Sequence, residues 1–172
     1  TTSMVSNLGK AAMSIAERML EKRQDFLELD ACRDVISSHF NNFNLNSEPD
    51  WLSVFLNNGL LRKDPNPSVG QFDDEEVVRF SFQRFQDFIM AERSLDKVEK
   101  VDNLFHIAGH LGFCIDEGEI VWEWRGLINA LAVALPERFG IELVDALPGS
   151  FESWWGQWPI KQGFEESIKW RA

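Results

Sequence analysis

The chain has 172 residues, of which 44% are hydrophobic and 26% are charged, a balance typical of a folded globular protein rather than a disordered one. Acidic residues outnumber basic residues by 28 to 17, and the resulting net charge of −11 disfavours binding to a phosphate backbone. A continuous apolar run of about 18 residues is missing, and so is a secretion signal, so we expect a cytoplasmic protein that does not cross a membrane.

The first part of the chain has the residue pattern of three amphipathic helices. Apolar residues recur at helical spacing over residues 8–29 and again over residues 30–40. A third helix is expected to follow Ser47, whose hydroxyl is placed to accept hydrogen bonds from the first-turn amides. Gly59 is expected to end this helix.

Two short strands and a fourth helix are predicted next. Residues 60–63 and 78–82 fit strands, the second because apolar and polar residues alternate with a period of two. Helical spacing then returns, and we expect this helix to bury Phe85 and Phe88 along one face. Three helices followed by a strand pair predict a winged-helix-like subdomain over residues 1–96, with a small two-stranded β wing.

Residues 97–172 are predicted to form a second, all-helical region, so the expected fold class is mainly α. Helices are expected over residues 104–111, 119–135 and 136–147, with Pro136 in a favoured first-turn position. A tryptophan-rich loop and a final short helix are expected to complete the chain.

The sequence indicates no catalytic or metal site. His106 and His110 have the spacing of a metal-binding helix face, but Ile107 replaces the general-base glutamate of a metalloprotease, and a structural role is favoured. Cys32 and Cys114 lie far apart in the sequence, and both are interpreted as core residues. Phosphate-binding glycine loops and nucleophile motifs do not occur, so we expect no catalytic residue, cofactor or metal in this chain.

The tryptophans are candidates for a protein-binding surface, because aromatic side chains on a loop are rigid anchors for a partner. Trp122, Trp124 and Trp170 are expected to fill the helical core instead. For Trp154, Trp155 and Trp158, which share one loop, core packing and partner binding both stay open.

DNA binding has to be considered for any winged helix, because its third helix often enters the major groove. Here the expected outer face of that helix carries neither lysine nor arginine, and its residues are Asp50, Ser53, Asn57 and Asn58. Arg62 and Lys63 are the cations of the predicted wing, whose loop is acidic, so DNA binding is disfavoured.

Residues 78–91, with the sequence VRFSFQRFQDFIMA, resemble the strand-to-helix signature that closes the winged-helix domain of NACHT and related STAND NTPases, especially the bacterial antiviral (AVAST-like) group. Residues 127–147, which include ALPERFG, and residues 164–171 are similar to segments that follow in those proteins. The resemblance implies a non-catalytic regulatory arm between an ATPase core and a C-terminal sensor of helical repeats.

The resemblance also implies a longer parent protein, in agreement with a start at Thr1 instead of methionine. That parent would bind ATP or ADP with magnesium, recognise a phage protein and act in antiphage defence. In many family members a histidine of the signature strand contacts the nucleotide phosphates. Phe82 stands at that position and cannot donate a hydrogen bond, which leaves Arg84 as the nucleotide-proximal candidate. The alternative for Arg84 is a surface ion pair with an acid one turn away.

Two other functions stay open beside this one. The first is a free-standing helical protein-interaction module that docks a partner through its tryptophan loop. The second is a winged-helix transcriptional regulator. For the regulatory arm, the expected partners are the ATPase core and the sensor repeats, with neither nucleic acid nor a membrane among them.

Overall fold

The computed structural model describes residues 2–40, 50–68, 75–98, 100–101, 104–106 and 109–147, and the isolated positions 161, 165, 168 and 169. The described chain is mainly helical, as predicted, and divides into two compact units, Thr1–Gln86 and Asp87–Ala172. The boundary between the two units falls inside a helix that continues to Asp96. Residue 96 is where the sequence predicted the first subdomain to end.

Three helices open the first unit: α1 (Thr2–Lys22), α2 (Leu29–Ser38) and α3 (Trp51–Asn57). Helix α2 contacts both of the others. Helix α3 ends at the predicted place, because Gly59 adopts a left-handed conformation with φ 69°. The predicted cap Ser47 lies outside the described residues, and Asp50 directly precedes the helix. The buried face of α1 repeats at helical spacing and consists of Ala11, Ala12, Ile15, Ala16, Met19 and Leu20.

Helix α1 ends earlier than the apolar pattern predicted. Arg23 has φ 55°, its amide donates to the carbonyl oxygen of Leu20, and the Gln24 amide donates to that of Met19, both at 3.0 Å. This pair of bonds is a Schellman motif, which ends a helix through one left-handed residue. That residue is usually glycine, so an arginine there gives the sequence no stop signal. The short strand β1 (Leu27–Glu28) therefore lies within residues predicted to be helical.

The sheet of the first unit has three strands instead of the two expected. Strands β2 (Leu61–Pro65) and β3 (Glu76–Phe80) form the predicted wing, and β1 pairs with the free edge of β3. Both pairings are antiparallel, with Val78 opposite Leu27 on one side and opposite Lys63 on the other. Strand β1 follows α1 and joins the two wing strands, so the predicted order of three helices and a strand pair is present with one strand added.

Strand β3 leads through two residues into helix α4 (Gln83–Asp96). The strand ends at Phe80, so Phe82 lies beyond it. The expectation that α4 buries its phenylalanines is wrong, because Phe85 and Phe88 are 41% and 45% exposed. The buried residues of α4 are instead Met90, Ala91 and Leu95 together with polar side chains. Ser94, which is fully buried, donates its hydroxyl to the Met90 carbonyl oxygen at 2.8 Å.

The second unit is not all helical, because a β-hairpin joins β4 (Ile115–Asp116) to β5 (Glu119–Ile120). Its two turn residues, Glu117 and Gly118, have φ values of 48° and 81°. Two consecutive positive φ angles are the mark of a type I′ turn, which suits a two-residue hairpin loop. Glutamate is an uncommon first residue of such a turn, so the sequence did not indicate the hairpin.

The helices of the second unit also differ from the prediction. Described residues of the segment 104–111 form turns, and the chain becomes helical at α5 (Arg125–Phe139) and α6 (Leu143–Ala146). Pro136 lies inside α5 rather than at the start of a new helix, and Gly140, with φ 68°, ends α5. The buried face of α5 consists of Leu127, Ile128, Leu131, Ala132, Ala134 and Leu135.

Candidate functional site

The junction between the wing and α4 is held by ring packing and backbone hydrogen bonds. Phe80 is 1% exposed, and the Phe85 ring meets it edge-on with the centroids 5.6 Å apart. The Ser81 amide donates to the Leu60 carbonyl oxygen at 3.0 Å, and the Phe85 amide donates to that of Phe82 at 3.1 Å. These contacts fix the direction in which the first turn of α4 leaves the sheet.

Gln86 anchors the same turn on its inner side. Its side chain is 1% exposed, and Nε2 donates to the backbone carbonyl oxygen of Asp25 at 3.1 Å. Asp25 precedes β1, so this bond ties the start of α4 to the loop that follows α1. The helix start is therefore held from the inside, while its outer face stays open.

The outer side of this turn carries an exposed patch, which we call the Phe-Arg surface, formed by Phe82, Arg84 and Phe85. Phe82 is 68% exposed and Phe85 is 41% exposed. Phe82 directly precedes α4, and Phe85 lies in its first turn. Arg84 is also exposed and lies between them in the sequence. An exposed aromatic pair next to a cation has the composition of an interaction surface.

Arg84, the predicted nucleotide-proximal candidate, differs from most other cations of the first unit. In the part of the chain that the structure describes, no ion pair or hydrogen bond involves its guanidinium, so the predicted surface ion pair is not seen there. Six other cations of the unit lie within ion-pairing distance of a carboxylate: Arg18, Lys22, Arg33, Arg62, Lys63 and Arg79.

The wing and the third helix are poorly suited to DNA. Arg62 Nε lies 3.0 Å from Asp64, and Lys63 Nζ lies 2.6 Å from Glu76, so both wing cations are already paired with carboxylates. Helix α3 contains no charged residue, and Asp50 at its start is exposed. A phosphate backbone would have to compete with these acids for each cation, which lowers the electrostatic gain of binding.

Arg79 has a structural role in the centre of the sheet. Its guanidinium is ion-paired with Asp25, lies 3.4 Å from the Asp64 carboxylate, and stands 5.4 Å from the centroid of the Phe26 ring. The side chain is 19% exposed, so these contacts are partly shielded from solvent. Arg79 thereby links β3 to β2 and to the residues that precede β1.

The two described tryptophans of the second unit, Trp122 and Trp124, differ in burial. Trp124 is 8% exposed and meets the ring of Phe113 edge-on at 4.8 Å, which confirms its predicted core position. Trp122 is 67% exposed, so its predicted burial is wrong, and the Arg125 guanidinium lies 3.6 Å from its ring centroid. The protein-binding candidates Trp154, Trp155 and Trp158, and the predicted core residue Trp170, lie outside the described residues.

The reactive side chains do not come together into a site within the described ranges. Cys32 and Cys114 are both buried and free, as predicted, and burial raises the pKa of the Cys32 thiol to about 12 and also raises that of Cys114. His106 and His110 are exposed. Among the described residues, no three histidine, cysteine or acidic side chains are grouped as metal ligands. None of the described helices combines the length and the apolar character that crossing a bilayer requires.

Comparison with known proteins gives no family for this chain. No family model, no curated protein and no solved structure matches it. The resemblance of residues 78–91 to the STAND signature therefore stays a prediction.

Proposed function

We propose that the chain is a non-catalytic regulatory segment of a STAND-type signalling ATPase, in which the winged-helix unit transmits conformational change between an ATPase core and a sensor. The parent would bind ATP or ADP with magnesium in the cytoplasm and act in antiphage defence. The observation that carries the proposal is the passage from β3 into α4: the residues that resemble the STAND signature form the closing strand and following helix of a winged-helix unit.

The contacts at this passage suit a mechanical role. Transmission by rigid-body rotation requires an element that moves as one piece between two packing arrangements. The Phe80–Phe85 ring contact and the Gln86–Asp25 hydrogen bond couple the start of α4 to the sheet. A displacement imposed on the wing would therefore be passed to the helix instead of being absorbed by the two-residue connection.

The genomic reading frame upstream of Thr1 tests this proposal. We expect it to encode a phosphate-binding loop of the form GxxxxGK followed by serine or threonine. A frame that contains no such loop would contradict the proposal. The purified chain itself should release no phosphate from magnesium ATP above the buffer rate, and magnesium-dependent hydrolysis by the chain would also contradict it.

A free-standing protein-interaction module is the second candidate, favoured by the exposure of Phe82 and Phe85. This function needs no ATPase core, so it is compatible with an upstream frame that lacks the phosphate-binding loop. It predicts that the chain binds its partner with the same affinity whether or not nucleotide is present. Binding that changes with ATP or ADP would favour the regulatory arm instead.

A further inference from the structure

We propose that the Asp87 carboxylate of α4 is the N-terminal cap of α5, so that the first turn of α5 is ordered only while α4 is packed against it. Asp87 and α5 both belong to the second unit. This inference deepens the proposed function, because α4 is the helix to which a movement of the wing would be passed. It rests on that function only for its regulatory meaning, since the contact itself is a property of this chain.

The space around Gly126 places Asp87 at the start of α5. A Cβ atom built on Gly126 would lie 2.2 Å from Oδ2, 2.7 Å from Cγ and 2.9 Å from Oδ1 of Asp87. The carboxylate therefore occupies the position that a side chain of residue 126 would take. Because the Cβ atoms of a helix tilt toward its N-terminus, this position lies on the side of the first-turn amides that have no intrahelical partner.

Helix α5 begins without a capping side chain of its own. The residue before it is Trp124, whose indole offers no acceptor oxygen, and its first turn contains no acid. The amides of Trp124 and Arg125 donate to carbonyl oxygens of the short 3-10 turn that precedes the helix. The next two amides, those of Gly126 and Leu127, are the ones that a capping oxygen normally serves.

Burial makes the Asp87 contact more important than an exposed ion pair. Asp87 is 8% exposed, and a buried carboxylate is costly unless donors and positive charge face it. The first-turn amides of α5 and the positive end of its dipole supply both. Toward the other end of the two helices, Arg138 Nη2 lies 2.7 Å from Asp96 Oδ1, but these side chains are 36% and 42% exposed, so water screens the pair.

The consequence is a helix start that depends on a second helix. When a helix end loses its cap, the freed amides turn to water and the first turn opens more often. A displacement of α4 would therefore loosen the first turn of α5. Gly126 is needed for this coupling, because any side chain at that position would push the carboxylate away.

Amide hydrogen exchange of the full chain, followed residue by residue by NMR, tests the inference. Asp87→Ala should speed exchange at Gly126 and Leu127 by about tenfold. Asp87→Asn, which keeps the shape and one acceptor oxygen but not the charge, should speed it by about threefold. Two control variants should stay within about twofold of the unaltered chain: Arg138→Ala, and Glu123→Gln, which neutralises an exposed acid next to the same helix end.

A double-mutant cycle tests the contact independently of exchange. Gly126→Ala should raise the unfolding equilibrium constant at least about fivefold in the unaltered chain, because the new methyl group displaces the carboxylate. In the Asp87→Ala background the same change should leave this constant unchanged or lower it, because the methyl group finds space and alanine favours a helix. Urea denaturation measures both constants.

Three results would overturn the proposal: unchanged exchange at Gly126 and Leu127 in both Asp87 variants, equal acceleration throughout the second unit, or an equal cost of Gly126→Ala with and without Asp87. If Asp87→Ala does not fold, exchange in Asp87→Asn decides. None of these results bears on whether the upstream frame encodes a phosphate-binding loop, so failure of this inference and failure of the proposed function are distinguishable.

Discussion

The ring of Phe85 meets the buried ring of Phe80 edge-on at a centroid distance of 5.6 Å, which joins the first turn of α4 to the end of β3. Phe82, three residues earlier, is 68% exposed and has no ring contact with the described residues. Two phenylalanines of one short segment therefore differ in role: Phe85 holds the junction, and Phe82 is available to a partner.

The two phenylalanines should differ in their effect on stability. Phe85→Ala removes the contact with Phe80, and we expect the free energy of unfolding to fall by about 1–2 kcal/mol. Phe82→Ala should change it by less than about 0.5 kcal/mol, because the exposed ring is solvated in both states. Urea denaturation followed by circular dichroism measures both values, and a larger loss for Phe82→Ala would contradict the assignment of roles.

The network of Arg79 should contribute more to stability than an exposed ion pair. Arg79→Ala leaves the partly shielded Asp25 carboxylate without its cation and leaves Asp64 with Arg62 alone, and we expect a loss of about 2 kcal/mol. Arg18→Ala, which removes an exposed pair with Glu21, should cost less than about 0.5 kcal/mol. Equal losses in urea denaturation would show that Arg79 does not link the strands as described.

Replacing a helical glycine by alanine should change the free energy of unfolding in opposite directions at two positions of this chain. At Gly126 in α5, an added Cβ would lie 2.2 Å from Oδ2 of Asp87, so Gly126→Ala should destabilise the chain by about 1–3 kcal/mol. At Gly9 in α1, an added Cβ would meet no atom within 4 Å beyond the backbone of its own helix, so Gly9→Ala should stabilise the chain by about 0.5–1 kcal/mol. Thermal denaturation of the two variants tests the close approach of Asp87, which a stabilised Gly126→Ala variant would refute.

Burial of Cys32 predicts a loss of stability at alkaline pH. The pKa of this thiol is raised to about 12 in the folded chain, whereas an unfolded thiol ionises near pH 8.5. Above that pH the unfolded state releases a proton that the folded state retains, so the free energy of unfolding decreases as the pH rises. Cys32→Ala, although less stable at pH 7, should show a smaller decrease between pH 8 and pH 10. An equal or steeper decrease in this variant would contradict the role of the thiol.

Sequence reasoning succeeded where local chemistry determines the structure. Gly59 ends α3 because a left-handed residue is needed there, and glycine adopts that conformation without strain. Strand β3 forms close to the predicted place but two residues earlier, at Glu76–Phe80, and the successive residues Val77 and Val78 are both buried, so both of its faces are covered there. In contrast, α1 ends through Arg23 and the second hairpin turns through Glu117, and neither residue signals a left-handed conformation.

The candidate surface could be predicted only in part. The resemblance to the STAND signature singled out Phe82 and Arg84, but hydrophobicity alone assigned Phe85 to the buried face of α4. The buried residues of α4 instead include Gln86 and Ser94 beside Met90 and Leu95. Gln86 Nε2 and the Ser94 hydroxyl donate to backbone carbonyl oxygens, whereas Gln86 Oε1 has no hydrogen-bond partner among the described residues. The carbonyl oxygens that accept these hydrogen bonds belong to Asp25, before β1, and to Met90, in α4 itself. The spacing of apolar residues in the sequence therefore does not show which face of α4 is buried.

The central claim is that the first unit acts through contacts with protein instead of nucleic acid. A titration with duplex DNA tests this claim most directly. Fluorescence anisotropy of a labelled duplex should stay flat as the full chain is added to about 50 μM at low salt, because Arg62 and Lys63 are paired with acids and α3 has no cation. A rise in anisotropy that weakens with added salt and disappears in Arg62→Ala and Lys63→Ala would contradict this conclusion.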